Sequence, residues 1–152
     1  MAYRVSYRCR IPAPAAAAWD MVADPFRRPE WMAFVVGVGG EPLADQPGPA
    51  ERRFSVEGRL GPFRFTAREK VTAVWPGTMV AFHGEVGSFS YLLTLTLSEV
   101  DGENASLAWN MEVRPVHDGQ SLPARLGLFL AWRIADCLAR LSLANLRLRL
   151  GA

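Results

Sequence analysis

Alternation of apolar and polar residues marks the start of the chain. Between Tyr3 and Ile11 every second residue is apolar, and the residues between them are Arg or Ser. A period of two is typical of a β-strand with one buried and one solvated face. The pattern therefore predicts that the chain begins with a strand that packs one side against a core.

Prolines then end this strand and the period changes. Pro12 and Pro14 are poor strand residues and suit the start of a helix. Apolar residues recur at helical spacing over residues 15–22, which lays Trp19 on the buried side. The stretch FRRPEWMA, residues 26–33, predicts a second helix that its internal proline keeps short. Two short helices are therefore expected after the first strand.

The middle of the chain consists of short apolar runs separated by Gly and Pro. The predicted strands are FVVGV, ERRFSVEGRL, FRFTAREKVTAVW, MVAFHGEV, SFSYLLTLTLSEV and ASLAWNMEVRP. The last five are joined by linkers of only two to four residues, so we expect them to run as antiparallel hairpins. From Ser121 to about Leu150 the pattern is helical without a Gly-Pro break, which predicts one long C-terminal helix.

Length, composition and charge limit the class of protein. The chain has 152 residues, of which 50% are hydrophobic, and this size suits one domain core. We therefore expect a single domain over residues 1–152. The formal net charge is +2 and the basic residues are scattered. Since nucleic-acid binding needs massed basic charge, no nucleic-acid partner is expected.

Cysteine usage and motifs argue against several kinds of site. Cys9 and Cys137 lie far apart, without C-x-x-C spacing or a matching pair of histidines, so neither a metal site nor a disulfide framework is expected. The sequence carries no phosphate-binding loop and no nucleophile triad, and we expect no cofactor. The first residues lack a signal-peptide core, and no uncharged apolar stretch reaches the ~18 residues of a membrane span. A cytoplasmic location is the expectation.

The order of elements resembles the helix-grip fold of the START and birch-pollen-allergen superfamily, also called SRPBCC. The most specific stretches are IPAPAAAAWDMVADPFRRPEW and EKVTAVWPGTMVAF. A further stretch, SLANLRLRL, is similar to the Asn-Leu segment in the last helix of bacterial polyketide aromatase/cyclases. The resemblance implies an α+β fold, in which a seven-stranded curved antiparallel sheet wraps around one long C-terminal helix. It also implies an internal cavity that is open to hydrophobic ligands.

The residues expected to line this cavity are of three kinds. Some lie on the apolar faces of predicted strands, some are small or short, and one belongs to the Asn-Leu segment. The expected ligand-binding residues are Tyr91, Leu93, Trp109, Met111, Phe65, Ala67, Cys137 and Asn145. The alternative interpretation of the aromatic residues is core packing, since buried aromatic side chains dominate core energetics in general.

Glu69 is the sharpest single candidate for chemistry. It is the one charged residue on the otherwise apolar face of the strand FRFTAREKVTAVW. A buried carboxylate is costly unless it is paired, or else its pKa rises and it becomes a usable acid or base. The alternative is that the strand bends, or that Glu69 lies near the end of the sheet and reaches water.

His83 is a second catalytic candidate whose orientation the pattern leaves open. If the odd-numbered residues of MVAFHGEV face inward, His83 and Glu85 join Glu69 in a titratable cluster suited to acid-base work on a carbonyl substrate. If the even-numbered residues face inward, which gives the more apolar face, His83 lies outside. The resembling aromatase/cyclases place an Arg on the inner sheet, but Arg64 and Arg68 alternate with the apolar face and are expected outside.

The last helix is apolar over more than half its circumference. Arg133, Arg140 and Arg147 recur every seven residues and predict a solvated stripe. Part of the apolar remainder is expected to face the sheet. Trp132, Phe129 or Leu143 are candidates for a homodimer contact, a ligand or a lipid surface.

Three functions follow from these patterns and from the resemblance. The first is binding of a hydrophobic or polyketide-like small molecule in the cavity. The second is a cofactor-independent polyketide cyclase, aromatase or dehydratase that uses Glu69, with His83 as a possible partner. The third is a lipid- or quinone-binding module that contacts membranes or partners through its last helix.

Overall fold

The computed structural model of the chain describes residues 2–40, 53–116 and 122–151. Seven strands and three α-helices are formed there, with a 3-10 turn at Pro25–Arg27. The strands are β1 (Tyr3–Ile11), β2 (Val35–Gly40), β3 (Arg53–Leu60), β4 (Phe63–Trp75), β5 (Met79–Val86), β6 (Phe89–Glu99) and β7 (Ala105–Pro115). The helices are α1 (Ala15–Val22), α2 (Arg28–Trp31) and α3 (Leu122–Leu150).

All seven strands form one sheet in the order β1-β7-β6-β5-β4-β3-β2, and every neighbouring pair is antiparallel. Strands β2 to β7 follow one another as a meander, and β1 returns to pair with β7 along its whole length. The predicted seven-stranded antiparallel sheet, the two short helices after β1 and the long C-terminal helix are confirmed. The predicted first residues of β3, Glu51 and Arg52, lie outside the described residues.

The sheet has an inner face, which carries the buried side chains. Because side chains alternate along each strand, rows of residues run across this face from strand to strand. One row contains Phe54, Glu69, Gly84 and Tyr91. The next contains Val71, Phe82, Leu93 and Met111. These two rows carry most of the candidate site.

Helix α3 packs against β1, β7 and α2. Half of its buried residues, Ala135, Ala139 and Ser142, are small, and small side chains let the helix approach the sheet closely. The Ser142 hydroxyl accepts a 2.9 Å hydrogen bond from the Ala33 backbone N–H and so ties α3 to the end of α2. Leu143, one of the three residues predicted to be left over, is buried, whereas Phe129 is exposed.

Candidate functional site

The short helix α2 brings a buried arginine to the sheet. Arg28 and Trp31 are three residues apart and therefore share one side of the helix, and each is only 1% exposed. Arg27 and Glu30 occupy the other side, where they form an ion pair of 2.8 Å. The helix is thus amphipathic, but its inward side carries a full positive charge.

Glu69 on β4 meets this charge. This residue is buried at 5% exposure, and its Oε2 lies 2.7 Å from Nη1 of Arg28. The Tyr91 hydroxyl, from β6, donates a hydrogen bond to the same carboxylate oxygen. We call these three residues, Arg28, Glu69 and Tyr91, the polar cluster.

A glycine on the strand between them makes the contact of Tyr91 with Glu69 possible. Gly84 on β5 stands between Glu69 and Tyr91 in the cross-strand row, and the Tyr91 ring lies across it. A Cβ added at Gly84 would be 2.2 Å from Cζ of Tyr91, far inside van der Waals contact. Any larger residue at this position would therefore force the phenol away from the carboxylate.

Aromatic rings enclose the Arg28 guanidinium. Its Cζ lies 4.4 Å from the ring centroid of Phe82 and 5.2 Å from that of Phe54. The two rings are themselves perpendicular, at an interplanar angle of 87°. Cation–π attraction is strongest where water is excluded, so these rings stabilise the buried charge together with Glu69.

Several buried polar atoms of this region have no hydrogen-bond partner among the described residues. They are Arg28 Nη2, Glu69 Oε1 and the indole Nε1 atoms of Trp31 and Trp109. The two indole rings pack edge to face, with centroids 6.2 Å apart. Buried polar atoms in folded proteins are nearly always hydrogen-bonded, so a donor and an acceptor on one ion pair mark a place where a polar group of a ligand could bind.

The environment fixes the protonation of the phenol. Burial raises the pKa of Tyr91 well above its ordinary value, the Glu69 carboxylate adds to the rise, and Arg28 opposes it. Tyr91 therefore keeps its proton at neutral pH. Its hydroxyl acts as a hydrogen-bond donor beside a paired carboxylate.

Most of the residues predicted to bind a ligand lie on the inner face of the sheet. Glu69 points inward, and Tyr91, Leu93, Trp109, Met111 and Ala67 are buried there. Phe65 is half-buried, with its ring over Gly58 in the same way that Tyr91 covers Gly84. The structure brings Glu69 and Tyr91 into direct contact.

Other predicted residues lie elsewhere. His83 pairs across the sheet with Lys70 and Leu92, both exposed on the outer face, so it is separated from Glu69 and the histidine-containing cluster does not form. Even-numbered residues of β5 face inward, since they give the more apolar surface. Asn145 on α3 is exposed and Cys137 is half-buried; neither contacts the polar cluster through a hydrogen bond or an ion pair that the structure describes.

The sequence interpretation missed Arg28. Arg64 and Arg68 are exposed, as predicted, and the buried arginine comes from α2 instead of the inner sheet. The signal was present in FRRPEW, because Arg28 precedes the buried Trp31 by one helical turn. The adjacent Arg27 conceals this signal, because two successive arginines suggest an exposed segment. On a helix whose other side is covered, however, only one of the two can face solvent.

Two depressions lie near the polar cluster. An apolar cleft of about 320 Å³ is lined by Trp19, Ala23, Pro25, Val71, Val74, Pro76 and Val80. Two of its lining residues, Val71 and Val80, lie on the inner face of the sheet. Val71 is in the row of Phe82, and Val80 is one row further from Glu69. A second groove of about 690 Å³ is lined by Glu69 and Phe54 of the site together with the charged residues Arg53, Arg68, Lys70, His83 and Glu85.

Within residues 2–40, 53–116 and 122–151 no group of His, Cys, Asp or Glu side chains could hold a metal ion. Over the same described ranges, no helix is long and apolar enough to span a membrane.

Comparisons with known proteins agree with this architecture. A family model described as polyketide cyclase/dehydrase and lipid transport matches residues 2–151. No curated protein matches the chain in sequence. Among solved structures, the Zhui aromatase/cyclase from Streptomyces sp. R1128 is similar with a TM-score of 0.74 and 12% identity, over 95% of this chain and 92% of that one.

Two further structures extend the comparison. The di-domain ARO/CYC BexL from the BE-7585A biosynthetic pathway has a TM-score of 0.73 and 20% identity, over 95% of this chain and 45% of that one. A START superfamily protein from Mycobacterium smegmatis has a TM-score of 0.64 and 12% identity, over 91% of this chain and 96% of that one. At these identities the likeness concerns the helix-grip fold.

Proposed function

Because the chain belongs to the polyketide cyclase/dehydrase and lipid transport family, we propose that it binds an apolar, oxygen-bearing small molecule on the inner face of the sheet beneath α2. The observation that carries this proposal is the unpaired donor and acceptor of one buried ion pair, Arg28 Nη2 and Glu69 Oε1. A ligand hydroxyl can accept from the first and donate to the second. The ligand thereby restores the hydrogen bonds that both buried atoms lack.

The surroundings favour a flat, aromatic ligand body. Phe54 and Phe82 flank Arg28, and Trp31 and Trp109 continue the aromatic surface. Ligand sites are commonly apolar with a few placed polar groups, which is the composition here. We further propose that the ligand enters through the apolar cleft of about 320 Å³, because its lining residue Val71 pairs across the sheet with Phe82.

Binding of 2-naphthol and of naphthalene to the purified protein tests this function. Both probes present the same fused rings, and only 2-naphthol has the hydroxyl. The protein is expected to prefer 2-naphthol by roughly 10- to 100-fold, as a hydrogen bond to a charged group stabilises by about 1.5–3 kcal/mol. Quenching of tryptophan fluorescence measures both affinities.

Variants separate the polar cluster from general hydrophobic binding. Arg28→Met is expected to remove the preference and to leave naphthalene affinity within a few-fold. Arg68→Met, an exposed arginine on the strand of Glu69, is the matched control and should keep the preference. If Arg28→Met does not fold, Tyr91→Phe takes its place. This variant retains the ring, loses the hydrogen bond to Glu69 and should also reduce the preference. Equal affinity of the wild-type protein for both probes would refute the proposed site.

Catalysis of a cyclisation or dehydration is the second candidate, and the contact of Tyr91 with Glu69 favours it. Glu69 would take a proton from the carbon beside a ligand carbonyl, while Arg28 holds the enolate oxygen that forms. The enolate carbon would then attack a second carbonyl, and the alkoxide that forms would take the proton back from Glu69. Glu69 would next remove the second proton of the same carbon and pass it to the hydroxyl, which leaves as water as the C=C bond forms. Conversion of a synthetic poly-β-ketone thioester tests this: Glu69→Gln should lose the enzyme-dependent product while binding persists, and unchanged product yield would reject catalysis.

A further inference from the structure

Helix α3 carries a second apolar surface, on the side that faces away from the sheet. Five large residues there are between 44% and 75% exposed: Leu126, Leu130, Ile134, Leu141 and Leu148. At about 100° per residue they fall within a stripe roughly 80° wide and about 33 Å long. We call this stripe the seam. It lies opposite the buried side of α3, so it contributes nothing to the packing of α3 on the sheet.

The seam follows the heptad repeat of a helix that pairs with another helix. Ile134, Leu141 and Leu148 are seven residues apart. Leu130 precedes them by four residues, and Cys137 and Ala144 stand between them at steps of three and four. Alternation of large residues with small ones leaves holes into which side chains of a facing helix can insert. The alternation of large and small residues distinguishes this seam from the apolar face of helices that lie in a lipid surface.

One flank of the seam carries three arginines beside the exposed Phe129. Arg133, Arg140 and Arg147 each precede a large seam residue by one position, and all three are exposed. The only acidic residue in the sequence of α3 is Asp136, which accepts a hydrogen bond from Tyr7 and pairs with Arg140 at 3.1 Å. The flank therefore has positive charge that α3 itself does not neutralise.

This charge decides which occupant fits. If two copies paired through α3 in antiparallel orientation, the basic flanks would face each other and Arg140 would oppose its own copy. In parallel orientation the arginines would face Ala131, Leu138 and Asn145, none of which is acidic. A facing helix with acidic residues beside its apolar positions satisfies both the seam and its flank. We propose that the seam of α3 binds an acidic amphipathic helix of a partner protein.

A synthetic helical peptide tests this surface. It carries Leu at the core positions of about three heptads and Glu at both flanking positions, and its own glutamates prevent it from pairing with itself. The control peptide has Lys in place of each Glu. The protein is expected to bind the Glu peptide at least about tenfold more tightly than the Lys peptide at low salt, as measured by fluorescence anisotropy.

Reversing the charge of the flank and disrupting the seam are expected to have different effects on peptide binding. The double variant Arg133→Glu with Arg147→Glu should favour the Lys peptide. Leu141→Glu should abolish binding of both peptides, and Leu92→Glu, at an exposed leucine on the outer face of the sheet, should bind like the wild type. Equal affinity for the two peptides would overturn the proposal. So would binding of phosphatidylglycerol vesicles without peptide binding, or a dimer that Leu141→Glu dissociates.

Discussion

Moving a guanidinium and a carboxylate out of water costs several kcal/mol per ion. In the polar cluster, the 2.7 Å contact of Arg28 with Glu69, the Tyr91 hydroxyl and the two phenylalanine rings offset that cost. Each partner is therefore stabilised mainly by the others. Removal of one leaves an uncompensated charge in the core.

Stability of single and double variants tests this dependence. Arg28→Met or Glu69→Leu alone should lower the free energy of unfolding by about 3–5 kcal/mol. The double variant Arg28→Met with Glu69→Leu should lose much less than the sum, because neither charge remains. Urea unfolding measures all three. Additive losses would mean that the two side chains do not act as a pair.

Sequence alone gives part of this cluster. The burial of Glu69 is predictable from strand alternation, because period-two spacing determines which side a residue faces. Arg28 is not predicted, since a four-residue helix is too short for a clear hydrophobic period. Its partner Glu69 is also 41 residues away in the chain, so the pair is seen only once α2 is packed against the sheet.

At the scale of elements, β5 has a glycine, Gly84, at the place where the Tyr91 ring lies across the strand. Gly84→Ala should displace the phenol and lower the free energy of unfolding by about 1–3 kcal/mol, because the added Cβ overlaps the ring. Binding of 2-naphthol should weaken as well. Gly102→Ala is the control, since a Cβ there meets nothing within 4 Å. If both variants melt at the same temperature, the close approach has no energetic consequence.

The strands were predictable as elements because alternation and short Gly- or Pro-containing linkers set both their extent and their antiparallel pairing. The orientation of α3 was not. Leucines occur around most of its circumference, so periodicity does not distinguish the side that packs on the sheet from the seam. The small residues Ala135, Ala139 and Ser142 lie on the packed side, because small side chains allow the helix to approach the sheet closely.

At the scale of the whole molecule, the buried phenol couples stability to pH. The pKa of Tyr91 is raised in the folded state, so its contribution is fully present below the unfolded value of about 10 and is lost as pH rises above it. The free energy of unfolding should therefore fall above about pH 10, and Tyr91→Phe should reduce this slope. Tyr7→Phe should reduce the slope less. The hydrogen bond with Asp136 also raises the pKa of Tyr7, but the pKa of Tyr91 is raised further. A wild-type slope in Tyr91→Phe would contradict the burial of the phenol.

A crystal structure of the protein with 2-naphthol bound tests the central claim most directly. The probe's oxygen is expected within hydrogen-bond distance, roughly 2.5–3.2 Å, of both Arg28 Nη2 and Glu69 Oε1. Its rings are expected to lie against Phe82. A probe whose oxygen contacts neither atom, or an ion pair bridged by water while the probe binds elsewhere, would contradict the assignment of the polar cluster as the ligand site.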